Sequence, residues 1–335
     1  MRWRVESAPR KSAKTTLSSQ IVFSIDGLVM VRANPPGFGT DPCPYPDPPP
    51  SPPPVRTPIP PIPIPILEML KLVIAGLLAA GAVEAIAAAM ERAMLQTQGP
   101  TAAGGTPVAA AYVVAAAATA AVVAGIAVAT GDLVAGFVKA LNDVSSNPGI
   151  GAQWSLGPTE IAVAIVQGVN WANAQLSPSS QIPIPTAASL AAALAQAAPY
   201  SASDIAVAVI GALPGTTLAE MAAAIAAAAP AFQSVTAVVT ALQAAWTASG
   251  QSIGATELTS ALTSVSAVTF SVVDAAAALQ AYGFTAPQAF AGLETCASGY
   301  ATPPSGQLYE SDILAAILSV FAAVPGGVIP SAAGR

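Results

Sequence analysis

Asp204, Glu220, Glu257, Asp274 and Glu294 are rare charges in an otherwise apolar part of the chain, and they are the residues from which a carboxylate pair for general acid and base chemistry could be drawn. Their spacing argues for a plainer role. Ser201 with Asp204, and Thr217 with Glu220, are Ser/Thr-x-x-acid boxes, the signature of a helix start. Glu257 lies in a similar position. Acids there are favoured by the helix dipole and by the unsatisfied N–H groups of the first turn. Asp274, inside "FSVVDAAAALQ", reads as an interior helical acid facing solvent, a partner or a buried hydrogen bond. Glu84 is the other interior acid, with Arg92 two turns further on, and it is expected to make a polar contact to another helix.

The remaining chemistry is sparse. There is no histidine, which removes the usual neutral-pH base, the usual triad member and the commonest metal ligand. The two cysteines, Cys43 and Cys296, lie far apart and outside any CxxC, so a structural zinc site is not expected. "GTTLAE" and "GGTPVA" lack the spacing of a phosphate-binding loop. No nucleophile stands beside a base, so the chain is read as non-enzymatic, without catalytic residues, cofactor or metal.

The charge that exists is unevenly placed. Arg2, Arg4, Arg10, Lys11 and Lys14 are five of the eleven basic residues, and the body beyond them is sparsely acidic. Phosphate affinity needs clustered Lys and Arg, so nucleic acid is not an expected partner except at the basic tip. Charged residues make up 8% of the chain against roughly 25% in an ordinary soluble domain. Such a surface fits burial in an assembly.

The elements that would position these residues fall into four parts. Residues 1–35 are a basic arm carrying "IVFSIDGLVMVR", two β-branched runs around Asp26-Gly27, the strongest local signal for a two-residue β-hairpin. A lone hairpin is marginal in water and must dock on something. Residues 36–66 are a proline-rich segment expected to be extended, because proline fixes φ and removes the N–H donor. Its alternating Ile59, Ile62, Ile64 and Ile66 would be wasted on solvent, so the segment is read as a strap laid on an apolar protein surface.

Residues 67–145 read as an apolar αα-hairpin. One long helix is expected from Leu67 to about Gln96, with Gly76 and Ala80 permitting close helix approach. The uncharged run Val108 to Thr130 meets the length criterion for a membrane span, but it is alanine-rich and lacks Leu and Phe. Residues 155–325 change texture to helices of about twelve residues, starting near Thr159, Thr186, Ser201, Thr217, Gln233, Ala255, Val268, Thr285 and Glu310. Large side chains recur at helical spacing, as in Ile205, Val209 and Leu213, with no fixed repeat period.

The expected fold is therefore all-α: a long Ala-rich helical hairpin, then an array of short packed helices, with an N-terminal β-hairpin arm and a polyproline strap. The expected function is a structural, assembly-type protein whose arm and strap dock on neighbouring subunits, of its own kind or another. The alternative is a membrane-associated protein that inserts residues 67–130 as an anchor or pore. The interaction residues on either view are Ile59, Ile62, Ile64, Ile66, Glu84 and Arg92.

Overall fold

A computed structural model describes residues 22–25, 28–31, 62–97, 106–147, 154–265, 270–296 and 310–321. The chain divides into two compact units, Met1–Thr57 and Pro58–Arg335. In the first, the described residues are the backbones of β1 (Val22–Ile25) and β2 (Leu28–Val31), antiparallel with Val22 opposite Val31 and Ile25 opposite Leu28. The basic tip, the Asp26-Gly27 turn, Ile59 and all but the last residues of the strap lie outside the described residues.

The second unit is all-α in its described residues. They form α1 (Ile64–Leu77), α2 (Ala82–Gln96), α3 (Thr106–Val123), α4 (Thr130–Ser145), α5 (Pro158–Gln175), α6 (Ala187–Ala197) and α7 (Ala202–Ala212). These are followed by α8 (Leu218–Ala228), α9 (Val235–Ala248), α10 (Ala255–Thr263), α11 (Val272–Tyr282), α12 (Ala286–Thr295) and α13 (Glu310–Phe321). From α2 on, each helix packs most extensively on a helix two places away along the chain: α3 on α5, α5 on α7, and so on to α13, and likewise α2 on α4 through to α12; α1 packs on both α2 and α3. The chain thus steps between two rows of stacked helices, the order of an α-solenoid, in which every layer touches only its neighbours. A single apolar core runs the length of the stack, from Ile62 to Ile317.

The front of the stack differs from the sequence-based expectation in two ways. The long helix expected from Leu67 to Gln96 is two helices, α1 and α2. The chain turns at Gly81, whose φ of 113° lies in the region that favours glycine. Helix also starts three residues early, at Ile64, because proline is tolerated in a first helical turn and Pro63 O accepts the N–H groups of Ile66 and Leu67. Second, the uncharged run Val108 to Thr130 is not one helix. α3 stops at Val123, where Gly125 adopts φ 84° and Ile126 N–H reaches back to Ala121 O, a glycine-terminated Schellman end. Among the described residues no helix is long and apolar enough to cross a membrane.

Close approach between successive helices of a row comes from glycines other than Gly76, which has open space around it. A Cβ on Gly168 of α5 would stand 2.6 Å from Val114 Cβ and 2.9 Å from Ala111 O of α3. Gly136 of α4 meets Ile86 of α2 at 2.9 Å, and Gly292 of α12 meets Ala255 O at 3.0 Å, at the start of α10. Where α10 and α12 draw together, the buried Thr259 hydroxyl lies 3.0 Å from Gly292 O and 3.6 Å from Cys296 Sγ.

Candidate functional site

The five acids singled out above do not converge. Asp204 Oδ2 accepts from the Ser201 N–H and hydroxyl at 3.2 and 2.7 Å, while Ser201 Oγ accepts the Asp204 N–H at 3.1 Å. Glu220 and Thr217 repeat the exchange at 2.9, 2.8 and 3.2 Å. Gly254 N–H donates to Glu257 at 3.0 Å. Asp274 is not an interior acid: α11 starts at Val272, not Val268, and Ser271 caps it, placing Asp274 in the first turn with the Ser271 hydroxyl 2.6 Å away. Glu294 is exposed in the last turn of α12. Each N-terminal acid is engaged by its own helix start, an arrangement that orders backbone rather than moving protons. The bonds from the Thr217 backbone and then its side chain hold the Glu220 carboxyl below its ordinary value.

Glu84 does reach across to another helix, but not to Arg92. Its Oε2 lies 3.6 Å from Lys139 Nζ on α4, and Lys139 is also 3.3 Å from Asp143. Asp143 first, through a hydrogen bond and its charge, and then Glu84 raise the Lys139 ammonium above its usual value. Arg92 is exposed on α2. Burial pushes up the phenols of Tyr112 and Tyr200, the latter helped by the Asp204 charge. Among the described residues no group of three or more His, Cys, Asp and Glu could hold a metal ion.

The isoleucines of the strap separate. Ile62 is 8% exposed and belongs to the core, Ile66 is half-buried, and Ile64 is 74% exposed in the first turn of α1. Leu72, two turns further along the same side, is 75% exposed, and Leu77 is also open to solvent. Ile64 and Leu72 lie at the end of the odd-numbered row, on the side of α1 away from its buried residues Leu70 and Ile74, while Leu77 is the last residue of the helix. Solenoids generally cover such an end with a polar capping layer; here Ile64 and Leu72 stand exposed on either side of Glu68, which pairs with Lys71 at 2.7 Å.

A second surface was not legible in the pattern of charges. The stretch Ile182-Pro183-Ile184-Pro185, between α5 and α6, repeats the composition of the strap inside the stack. Asn173 of α5 holds it through a two-way amide pair, accepting from Ile182 N–H at 2.7 Å and donating to Ile182 O at 2.8 Å. Ile182 is buried and Ile184 exposed, the same order as Ile62 and Ile64. Beside it opens a groove of about 810 Å³ lined by Val166, Asn170, Pro185, Leu213, Pro214 and Ala227, among others, with Glu220 as its one charged lining residue. Asn170 stands one turn before Asn173 on α5 and is exposed. The signal that could have disclosed this surface is the recurrence of Ile-Pro pairs with asparagines on the preceding helix.

No protein-family model, curated protein or solved structure matches the chain.

Proposed function

We propose that this chain is a non-enzymatic assembly protein, in which the helical stack is the body of a subunit and the N-terminal arm and strap dock on neighbouring copies. The observation that carries the reading is the open end of the stack. Ile64 and Leu72 stand about three quarters exposed on α1, whereas the other large apolar side chains among the described residues are, with few exceptions, buried or half-buried. An aliphatic edge at the end of a two-row stack is costly in water and gains free energy when another surface covers it. The low charge of the body works in the same direction, since little repulsion opposes contact between copies.

The finer architecture belongs to the same proposal: a hairpin-bearing arm of residues 1–35, and an extended strap that reaches another subunit before the chain enters its own core at Ile62. Partners on this view are protein subunits, and no cofactor is involved.

The test is particle size. Full-length protein expressed without detergent and sized by light scattering and sedimentation should form a discrete species larger than a monomer. Leu72→Glu, which places a charge on the exposed edge without touching the core, should shift it toward smaller species. A monomer at every concentration, or a chain recovered only by extracting lipid with detergent, sinks the assembly reading. The second result would favour membrane association instead.

A further inference from the structure

We propose that the groove beside Asn170 receives the strap of a second copy of this chain, with the Asn170 amide bonding the backbone N–H and C=O of Ile59. The inference rests on the assembly reading and supplies the receiving site that it lacks. An Ile-Pro segment cannot join a helix or a strand ladder, because every proline removes a donor. What it offers is an isolated N–H and C=O pair at each isoleucine. A carboxamide is the uncharged side chain that donates and accepts from one planar group, so it can satisfy such a pair by itself.

The stack already performs this recognition once, when Asn173 takes both backbone groups of Ile182 at 2.7 and 2.8 Å. Asn170 lies one turn away on the same helix and lines an open groove with apolar walls rather than a filled one. Pro185, the last residue of the internal Ile-Pro-Ile-Pro stretch, forms part of that groove, so an incoming strap would lie against a segment of its own composition.

The occupant follows from what is left over. Ile62 is in the core of its own subunit and Ile64 is in α1, whereas Ile59, within Thr57-Pro58-Ile59-Pro60-Pro61, is the isoleucine of the strap that lies outside the described residues. Charge complementarity agrees. Arg56 is the one basic residue between positions 36 and 61, and Glu220 is the one charged residue lining the groove. An opposite pair at the rim steers and registers a segment more than it tightens it.

The test uses full-length protein and a fluorescent synthetic peptide of residues 46–61, followed by anisotropy and by its effect on particle size. The peptide should bind saturably and, in excess, lower the size of the self-associated species. Asn170→Ala should weaken peptide binding roughly tenfold, since two hydrogen bonds are lost at a site that otherwise stays intact. Ala227→Trp, at an exposed position of the groove wall, should abolish binding, and a peptide carrying Ile59→Ser should fail to bind the unmodified protein. Circular dichroism of each variant checks that the helices remain, and Asn170→Ala stays decisive if Ala227→Trp unfolds the chain. A peptide that does not bind, or binds both variants as tightly as the parent, overturns the proposal. If the particles stay large and ignore Asn170→Ala, the groove is wrong while the assembly reading stands. A chain that is monomeric at every concentration overturns both.

Discussion

The front of the stack, α1 to α5, and the part from α6 to α12 solve the same problem by different means. The front helices run from 14 to 18 residues, and α2, α4 and α5 start at Gly81, Ala129 and Gly157, none of which offers a side-chain cap. They are held by close approach: Gly136 and Gly168 let α4 and α5 press onto α2 and α3. The later helices run from 9 to 14 residues; six of the seven begin at a Ser or Thr, and in five of them that side chain accepts a hydrogen bond from the first turn. A short helix has as many orphan N–H groups as a long one and fewer internal bonds to set against them. Capping therefore matters more as helices shorten, and tight packing matters more as they lengthen.

The largest expected effect tests the front. Gly168→Ala introduces a Cβ at 2.6 Å from Val114 and 2.9 Å from a backbone oxygen. Overpacking of this kind costs about 1–3 kcal/mol, against a helix-propensity gain of about 1 kcal/mol. Net destabilisation on denaturant unfolding is expected, while Gly76→Ala, with open space around it, should stabilise. Equal effects at the two positions would mean that close packing does not hold the front together.

A smaller effect tests the later helices. Thr217→Ala should lower stability by about 1 kcal/mol through loss of the α8 cap, with Ser201→Ala similar at α7. The Thr217 cap is also pH-dependent. The Glu220 carboxyl is held below its ordinary 4.5, so its contribution is complete above that value and is lost as pH falls through the lower folded value. The difference between parent and Glu220→Gln measured by thermal unfolding should accordingly shrink on acidification below 4.5. A difference that grows would reverse the sign.

The smallest effect is expected at Glu84. Its ion pair with Lys139 joins two half-exposed side chains at 3.6 Å, and Lys139 keeps Asp143 as a second partner. Glu84→Gln should leave stability unchanged within error at physiological ionic strength. A marked loss would show that charge, and not only glycine-mediated packing, ties α2 to α4.

Much of the later half was legible in the residues themselves. Ser201 with Asp204, Thr217 with Glu220, and the stops at Pro230 and Gly283 act over three or four positions, so their chemistry is complete within a short window. Ser271 with Asp274 follows the same rule, yet the apolar residues before it drew the expected start back to Val268. The candidate site was less accessible. Nothing in the local pattern tells that Asn173 faces Ile182, or that Ile62 is buried while Ile64 is not.

By itself, then, the sequence determined that the body is helical, where most of its short helices begin, and which faces are apolar, because capping and helical periodicity are local. The tertiary structure alone decided that helices pack on their second neighbours, that Gly81 and Gly125 break the two longest apolar runs, and that Gly168 rather than Gly76 meets another helix. Those outcomes depend on which surface arrives from dozens of residues away, and an alanine-rich face accepts many partners until packing selects one.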